Sequence, residues 1–191
     1  MPFADDTQAA LASAAALVNT AALVNTAGEV ELLPDPAALD QFVRTWGWTG
    51  KRDRDEAELR GVRDLRPRLR QIWAASDERV VEIVNGLLHA ARALPQLVRH
   101  DGGDYHLHAT AAESPLAVRM AVEAAMAFVD VVRSKELSRL RICARPGCGN
   151  VLVDLSKNRS RRYCEAGCGN REAVAAYRAR KAAEREPASA H

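Results

Sequence analysis

Aromatic residues are scarce: three Phe, three Trp and three Tyr make up 5% of the 191 residues, too few for the core of a large β-sheet. Long apolar runs are missing as well. The nearest candidate, Ala9 to Val24, is interrupted by Ser13, Asn19 and Thr20, short of the roughly twenty unbroken apolar residues that span a bilayer. Asp5 and Asp6 stand where a secretory leader would carry basic residues. These absences argue against a β-sandwich, a membrane span and export, so the expected location is the cytoplasm. No Gly-rich phosphate loop, nucleophile elbow or HExxH helix occurs, and an enzyme is not expected. Cysteine is absent outside residues 143–168.

What is abundant favours helix. Ala, Leu, Arg, Glu and Val dominate, and most of these are good helix formers. A hexapeptide, Ala-Ala-Leu-Val-Asn-Thr, stands at 15–20 and again at 21–26. Six residues turn a helix by roughly 600°, so the copies cannot share one face; the duplication reads as a tolerated helix-start or loop feature rather than a solenoid. Asp35-Pro36 predicts the cap and first turn of a short helix carrying Leu39, Phe42, Val43 and Trp46 and ending near Gly47. From Asp53 onward, Leu59, Val62, Leu65, Leu69, Ile72 and Trp73 continue a helical stripe that Pro67 must kink or restart. Asp77 opens another helix, with Val80, Val81, Val84, Leu87 and Leu88 facing inward.

Leu97 and Val98, the turn Asp101-Gly102-Gly103-Asp104, and then Tyr105 and Leu107 predict a small β-hairpin. His106 and His108 share a face of its second strand and are expected as an exposed pair, since no acidic or cysteine partner is near in sequence. Ser114-Pro115 is expected to cap the most apolar helix, from Leu116 to Val132, with Met120 and Met126 filling gaps in the core.

The net charge of +2 is unevenly spread. Residues 141–191 hold eleven Lys or Arg against five Asp or Glu, whereas residues 1–140 hold sixteen against twenty. The basic part also contains Cys143, Cys148, Cys164 and Cys168, in the order Cys-x4-Cys-x15-Cys-x3-Cys. Each short loop can fold two sulfurs onto one ion and the longer loop joins the pairs, which predicts a single structural Zn2+. Two disulfides would require an oxidising compartment, and the spacing fits neither common ferredoxin pattern.

Around the cysteines, Pro146-Gly147 suits a metal knuckle, Val151 to Leu155 predicts a strand, and Arg161, Arg162 and Tyr163 are expected to return beside it. Glu172 to Arg185 is strongly helical, placing the second cysteine pair at a helix N-terminus; Asn170 is expected to cap that helix and Arg171 to bond near the thiolates. The expected fold is a mainly α N-terminal domain with a small β-hairpin, followed by a small α+β, treble-clef-like zinc-binding module. The boundaries expected are 1–138 for the helical domain, 139–185 for the zinc module and 186–191 for a flexible tail, with a short linker near Lys135 to Leu140. Metal removal is then expected to unfold the zinc module alone.

The run Cys143-Ala-Arg-Pro-Gly-Cys148-Gly, then Asp154, then Asn158 to Cys164, and finally Cys168-Gly169-Asn170-Arg171 resembles the CGNR zinc finger. Tyr163 stands where that family most often has Trp, and the loop between Cys164 and Cys168 is short. Leu23-Val24-Asn25-Thr26 is similar to the N-terminal motif of the ABATE-type domain that usually precedes this finger. The resemblance implies a bacterial transcription regulator that binds DNA, with the ABATE-type domain sensing a ligand or mediating dimerisation.

Independently of that resemblance, Arg159, Arg161, Arg162, Arg171, Arg178, Lys181 and Arg185 are the expected nucleic-acid contacts. Arg171, Arg178 and Arg185 repeat every seven residues, so they stripe one helix face. A guanidinium donates two bonds to one phosphate, and a row of them can follow a nucleic-acid backbone. Val174 and Tyr177, beside the stripe, are expected to pack against the module's own hairpin. DNA is therefore the expected partner, with a homodimer and a small-molecule effector compatible with the helical domain and no membrane partner. The competing readings are a protein-interaction adaptor in which zinc only folds the module, and an RNA-binding factor.

Overall fold

The structure, a computed structural model, describes residues 3–21, 30–99 and 106–184. The turn at Asp101 to Asp104, Tyr105, the second hexapeptide copy beyond Ala21, Arg185 and the tail at 186–191 lie outside the described residues.

The helical part contains α1 (Asp5–Asn19), α2 (Pro36–Thr45), α3 (Glu56–Arg70), α4 (Asp77–Ala90) and α5 (Leu116–Arg133). Asp35 caps α2 by accepting from Ala38 N, and Asp55 and Ser76 cap α3 and α4 in the same way. α5 has no side-chain cap. Its N-cap is Pro115, and the Ser114 carbonyl instead accepts from Arg119 Nε at 3.0 Å. α5 is the central element, packed against α1, α3 and α4. Its alanines 121, 124, 125 and 127 are buried and let those neighbours approach closely, while Phe128 fills the centre and meets Trp73 in a T-shaped contact at a centroid distance of 5.4 Å.

α3 continues through Pro67 rather than restarting there. Proline has no N–H to give the Arg63 carbonyl, which accepts from the Arg66 side chain at 3.4 Å instead. A 3-10 turn, Gln71–Ala74, then directs Ile72 and Trp73 into the core. The arginines of this region hold neighbouring segments: Arg52 bridges Asp40 and Glu58, Arg63 donates to the Leu33 carbonyl, and buried Arg66 binds both Glu31 carboxylate oxygens and the Thr20 hydroxyl.

The first hairpin pairs β1 (Gln96–Val98) with β2 (His106–His108), setting Leu97 opposite Leu107. His108 is half-buried rather than exposed. After α5 the chain makes a short 3-10 turn, Leu137–Arg139, and enters β3 (Leu140–Ile142), which pairs antiparallel with β4 (Val151–Val153).

That pairing corrects the hairpin expected within the zinc module. The partner of β4 is β3, and residues 161–163 are not a strand. The cause is Asp154, fully buried at the end of β4. Its carboxylate accepts from Ser156 N at 3.0 Å, Ser156 Oγ at 2.5 Å and Arg161 N at 3.0 Å, curling the following loop around itself. One backbone bond, Ala144 N to Arg162 O at 2.8 Å, is what remains of the expected return.

Val151 and Val153 belong to the same hydrophobic core as α1, α3 and α5. α6 (Cys168–Ala183) leaves this body: Cys168 is its one buried residue, and Val174 and Tyr177 are 40% and 52% exposed instead of packed on the hairpin.

Candidate metal centre

Two turns and the start of a helix bring the cysteines together. Cys143 follows β3, with its N–H bonded to Asn150 O at 2.8 Å, and Cys148 lies in the turn between the strands. Cys164 follows the Asp154 loop, and Cys168 opens α6. All four Sγ atoms lie within 4.8 Å of one another, with 3.8 Å between Cys148 and Cys164, 3.5 Å between Cys164 and Cys168, and 3.6 Å between Cys168 and Cys148. Sulfurs at about 2.3 Å from a tetrahedral zinc stand about 3.8 Å apart, so this cluster has the size of a four-thiolate zinc site. It is too open for disulfides, whose sulfurs are about 2 Å apart; all four cysteines are free.

Neighbouring donors complete the fit. Asn150 Nδ2 reaches Cys164 Sγ at 3.5 Å, Cys164 N reaches Cys143 Sγ at 3.4 Å, and Arg171 Nη2 reaches Cys168 Sγ at 3.4 Å. Such bonds stabilise thiolate charge and orient the sulfurs. Burial pushes the Cys148 thiol up to about 12 and raises Cys164, whereas at Cys168 the bonds from Arg171 and the other cysteines overcome burial and bring it down to about 7. A divalent ion supplies the positive charge that lets the remaining sulfurs shed their protons. Four protein ligands close the coordination sphere, so the site folds the chain and offers no open position for a substrate.

Asn170 does not cap α6. The N-cap is Gly167, in a left-handed conformation, no side chain supplies a cap bond, and Asn170 is an exposed residue of the first turn. With Cys168 committed to the cluster as the first helical residue, the capping position falls before it. Gly169 is explained by packing, since an added Cβ would stand 3.3 Å from Tyr163 Cδ2. The Tyr163 ring lies over the helix start beside the cysteine cluster, with the Arg162 guanidinium 5.8 Å from its centroid.

The basic side chains fall into two groups. Arg159 pairs with Glu136 at 2.8 Å, Arg161 pairs with Glu165 at 2.9 Å, and Arg171 donates to Ala166 O at 2.6 Å as well as to Cys168. Arg162, Arg178 and Lys181 are exposed, with Lys181 lying 5.6 Å from the Tyr177 ring centroid. Arg185 lies outside the described residues.

Sequence reasoning missed the side chains that seat the knuckle. Asn19 bonds both polar groups of Val151, Arg70 Nη2 donates to Gly149 O at 2.6 Å, and Trp73 Nε1 donates to Leu152 O at 2.9 Å. Three helical-domain residues thus hold the four-residue stretch after Cys148. Asn19 belongs to the first hexapeptide copy, whose Leu17 and Val18 are buried in the core and whose Thr20 meets Arg66. This is the engaged copy among the described residues; Leu23 to Thr26 lie outside them.

Comparison with known families agrees with this arrangement. Residues 139–181 match the CGNR zinc finger, and residues 11–135 match ABATE, described as "Putative stress-induced transcription regulator". No curated protein matches the chain. With the larger match covering most of its length, the chain belongs to the ABATE family and carries a C-terminal CGNR zinc finger whose four cysteines fit one Zn2+.

Proposed function

We propose that the chain is a zinc-dependent DNA-binding transcription regulator acting in the bacterial cytoplasm, with α6 as its contact element. One observation carries this reading: α6 is a sixteen-residue helix fixed to the cysteine cluster through its first turn, with Cys168 alone buried. A helix so exposed lacks the tertiary packing that normally stabilises helices, and a partner surface supplies it. Its charges favour a polyanion: Arg171, Arg178, Arg180 and Lys181 stand against Glu172 alone within Cys168–Ala183. Arg178 and Lys181 are the first phosphate contacts to test, followed by Arg162, which lies over Tyr163 near the start of α6. In this reading residues 139–185 act as the DNA-binding unit, and residues 1–138 serve sensing or dimerisation.

The test is retention of a random duplex pool by the zinc-loaded protein at two salt concentrations, with chelated protein as control. Expected is zinc-dependent retention that weakens steeply with salt, and a logarithmic salt slope reduced by about 2 in a protein carrying Arg178→Ala and Lys181→Ala. Exposed Tyr177 and Val174 give the adaptor reading its own foothold. Retention absent at low salt would replace DNA with a protein partner on α6; preference for structured or single-stranded RNA over duplex DNA would replace it with RNA.

A further inference from the structure

A cavity of about 790 Å³ opens between the N-terminal half of α1, the loop after α2, the inner face of the β1–β2 hairpin and the first turns of α5. It lies in the helical domain, apart from the cysteine cluster. Its volume is that of a site for a small organic molecule. The residues that keep it open are small: Ala9, Ala10, Ala109 and Ala112 line it where larger side chains would fill it. Two of the three tryptophans, Trp46 and Trp48, supply its broad apolar surfaces, and the Trp48 indole is fixed by a 3.2 Å bond to Ser13 Oγ.

One charged lining residue is deeply buried. Arg119 is 5% exposed, and its guanidinium donates to the Thr49, Lys51 and Ser114 carbonyls. Gly50 is glycine for this reason: a Cβ there would collide with Arg119 Nη1 and the Ala112 carbonyl. Carbonyls orient a guanidinium without neutralising it, and no carboxylate among the described residues forms an ion pair with Arg119. Those carbonyls engage three of its five N–H groups. Burial lowers the pKa of Arg119 despite the fields of Glu123 and Glu58, the sign of a positive charge short of compensation.

We propose that this cavity binds a small aromatic monocarboxylate, with the carboxylate at Arg119 and the ring against Trp46 and Trp48. A single negative charge is favoured because the charged lining is balanced, Asp6 and Glu123 standing against Arg92 and Arg119, and offers no excess of positive charge to a polyanion such as a nucleotide triphosphate. A planar ring suits indole walls, which offer faces for stacking and little hydrogen bonding.

The zinc-loaded full chain would be titrated with 1-naphthoate, its neutral isostere 1-naphthamide, and inorganic tripolyphosphate, followed by calorimetry. Saturable naphthoate binding with Kd below about 1 mM, at least about tenfold weaker naphthamide binding and no tripolyphosphate binding at the cavity are expected. Because Arg119 also holds the loop around Gly50, its replacement could unfold the wall. Ala9→Phe, which fills the cavity from α1 and leaves Arg119 untouched, should abolish binding with the circular dichroism spectrum unchanged. Absence of saturable naphthoate binding overturns the proposal, as does equal affinity for acid and amide; retention of binding by a folded Ala9→Phe protein overturns the location.

Discussion

Asn19 answers both polar groups of Val151: its Nδ2 donates to the Val151 carbonyl and its Oδ1 accepts from the Val151 N–H, each at 2.8 Å. The last residue of α1 thereby behaves as a strand partner for the middle of the zinc module, 132 residues away in sequence. Replacing it with alanine leaves two main-chain groups short of partners, at a cost of about 1–3 kcal/mol. Asn19→Ala should lower the urea midpoint of the helical signal and speed zinc release together. Since Val151 and Val153 also lie in the helical core, chelation is expected to lower the melting temperature of the helices rather than unfold the finger alone. Unchanged helical melting after chelation would show that the two parts fold independently.

Asp154 gives the fold a dependence on acid. Its burial favours the neutral form, but the bonds from Ser156 and Arg161 and the charge of Arg141 outweigh burial and hold its carboxyl below the ordinary range. A depressed folded pKa contributes stability that is present above the unfolded value, about 4, and is lost as pH falls through the folded one. Asp154→Asn should cost about 2–3 kcal/mol at neutral pH and flatten the fall in melting temperature between about pH 5 and pH 2. A variant with the wild-type pH profile would remove Asp154 as the source.

Gly169 tests the packing at the helix start. An added Cβ at 3.3 Å from Tyr163 Cδ2 requires the ring to give by a few tenths of an ångström, so Gly169→Leu is expected to press on the ring that lies beside the cysteines. Faster zinc transfer to a competing chelator is the expected result, with relief when Tyr163→Ala is added to make space. Equal transfer rates in wild-type and Gly169→Leu proteins would mean that the ring moves aside without cost to the site.

Arg171 differs from the other basic residues of α6 in touching the cysteine cluster. It bonds Cys168 Sγ and the Ala166 carbonyl, whereas no such bond to the cluster is made by Arg178. Arg171→Ala is expected to weaken zinc binding by about 10- to 100-fold, and Arg178→Ala to leave it unchanged. Competition with a colorimetric chelator reads both. Zinc affinity should also fall as pH drops through about 7, where Cys168 takes up a proton that the metal must displace.

The parts legible in the sequence were those written at short range. Helix stripes gave α2, α3, α4 and α5, and the cysteine spacing gave the metal cluster. Short range also misled. Arg161 to Tyr163 look like a strand, yet the buried Asp154 carboxylate competes successfully for the Arg161 N–H. Val174 and Tyr177 look like a packing face, yet no element of the described residues covers them fully. Asn170 has the side chain of a cap and sits three residues past the capping position at Gly167. The grips of Arg70 and Trp73 on the knuckle span 79 residues and end on backbone atoms, so neither side chain leaves a periodic or paired trace in sequence.

Because α6 is rooted at one end, it works geometrically as a pointer. Its sixteen residues extend about 24 Å, and a tilt of about 10° at Cys168 carries the far end through about 4 Å. That sweep is comparable to the rise of one DNA base-pair step, about 3.4 Å. The cysteine cluster that roots α6 adjoins the four-residue stretch held by Asn19, Arg70 and Trp73, so under the proposed function the register of Arg178 and Lys181 on a ladder of phosphates would follow from how that stretch is seated on three helical-domain side chains. Small errors in that seating become whole-step errors at the tip.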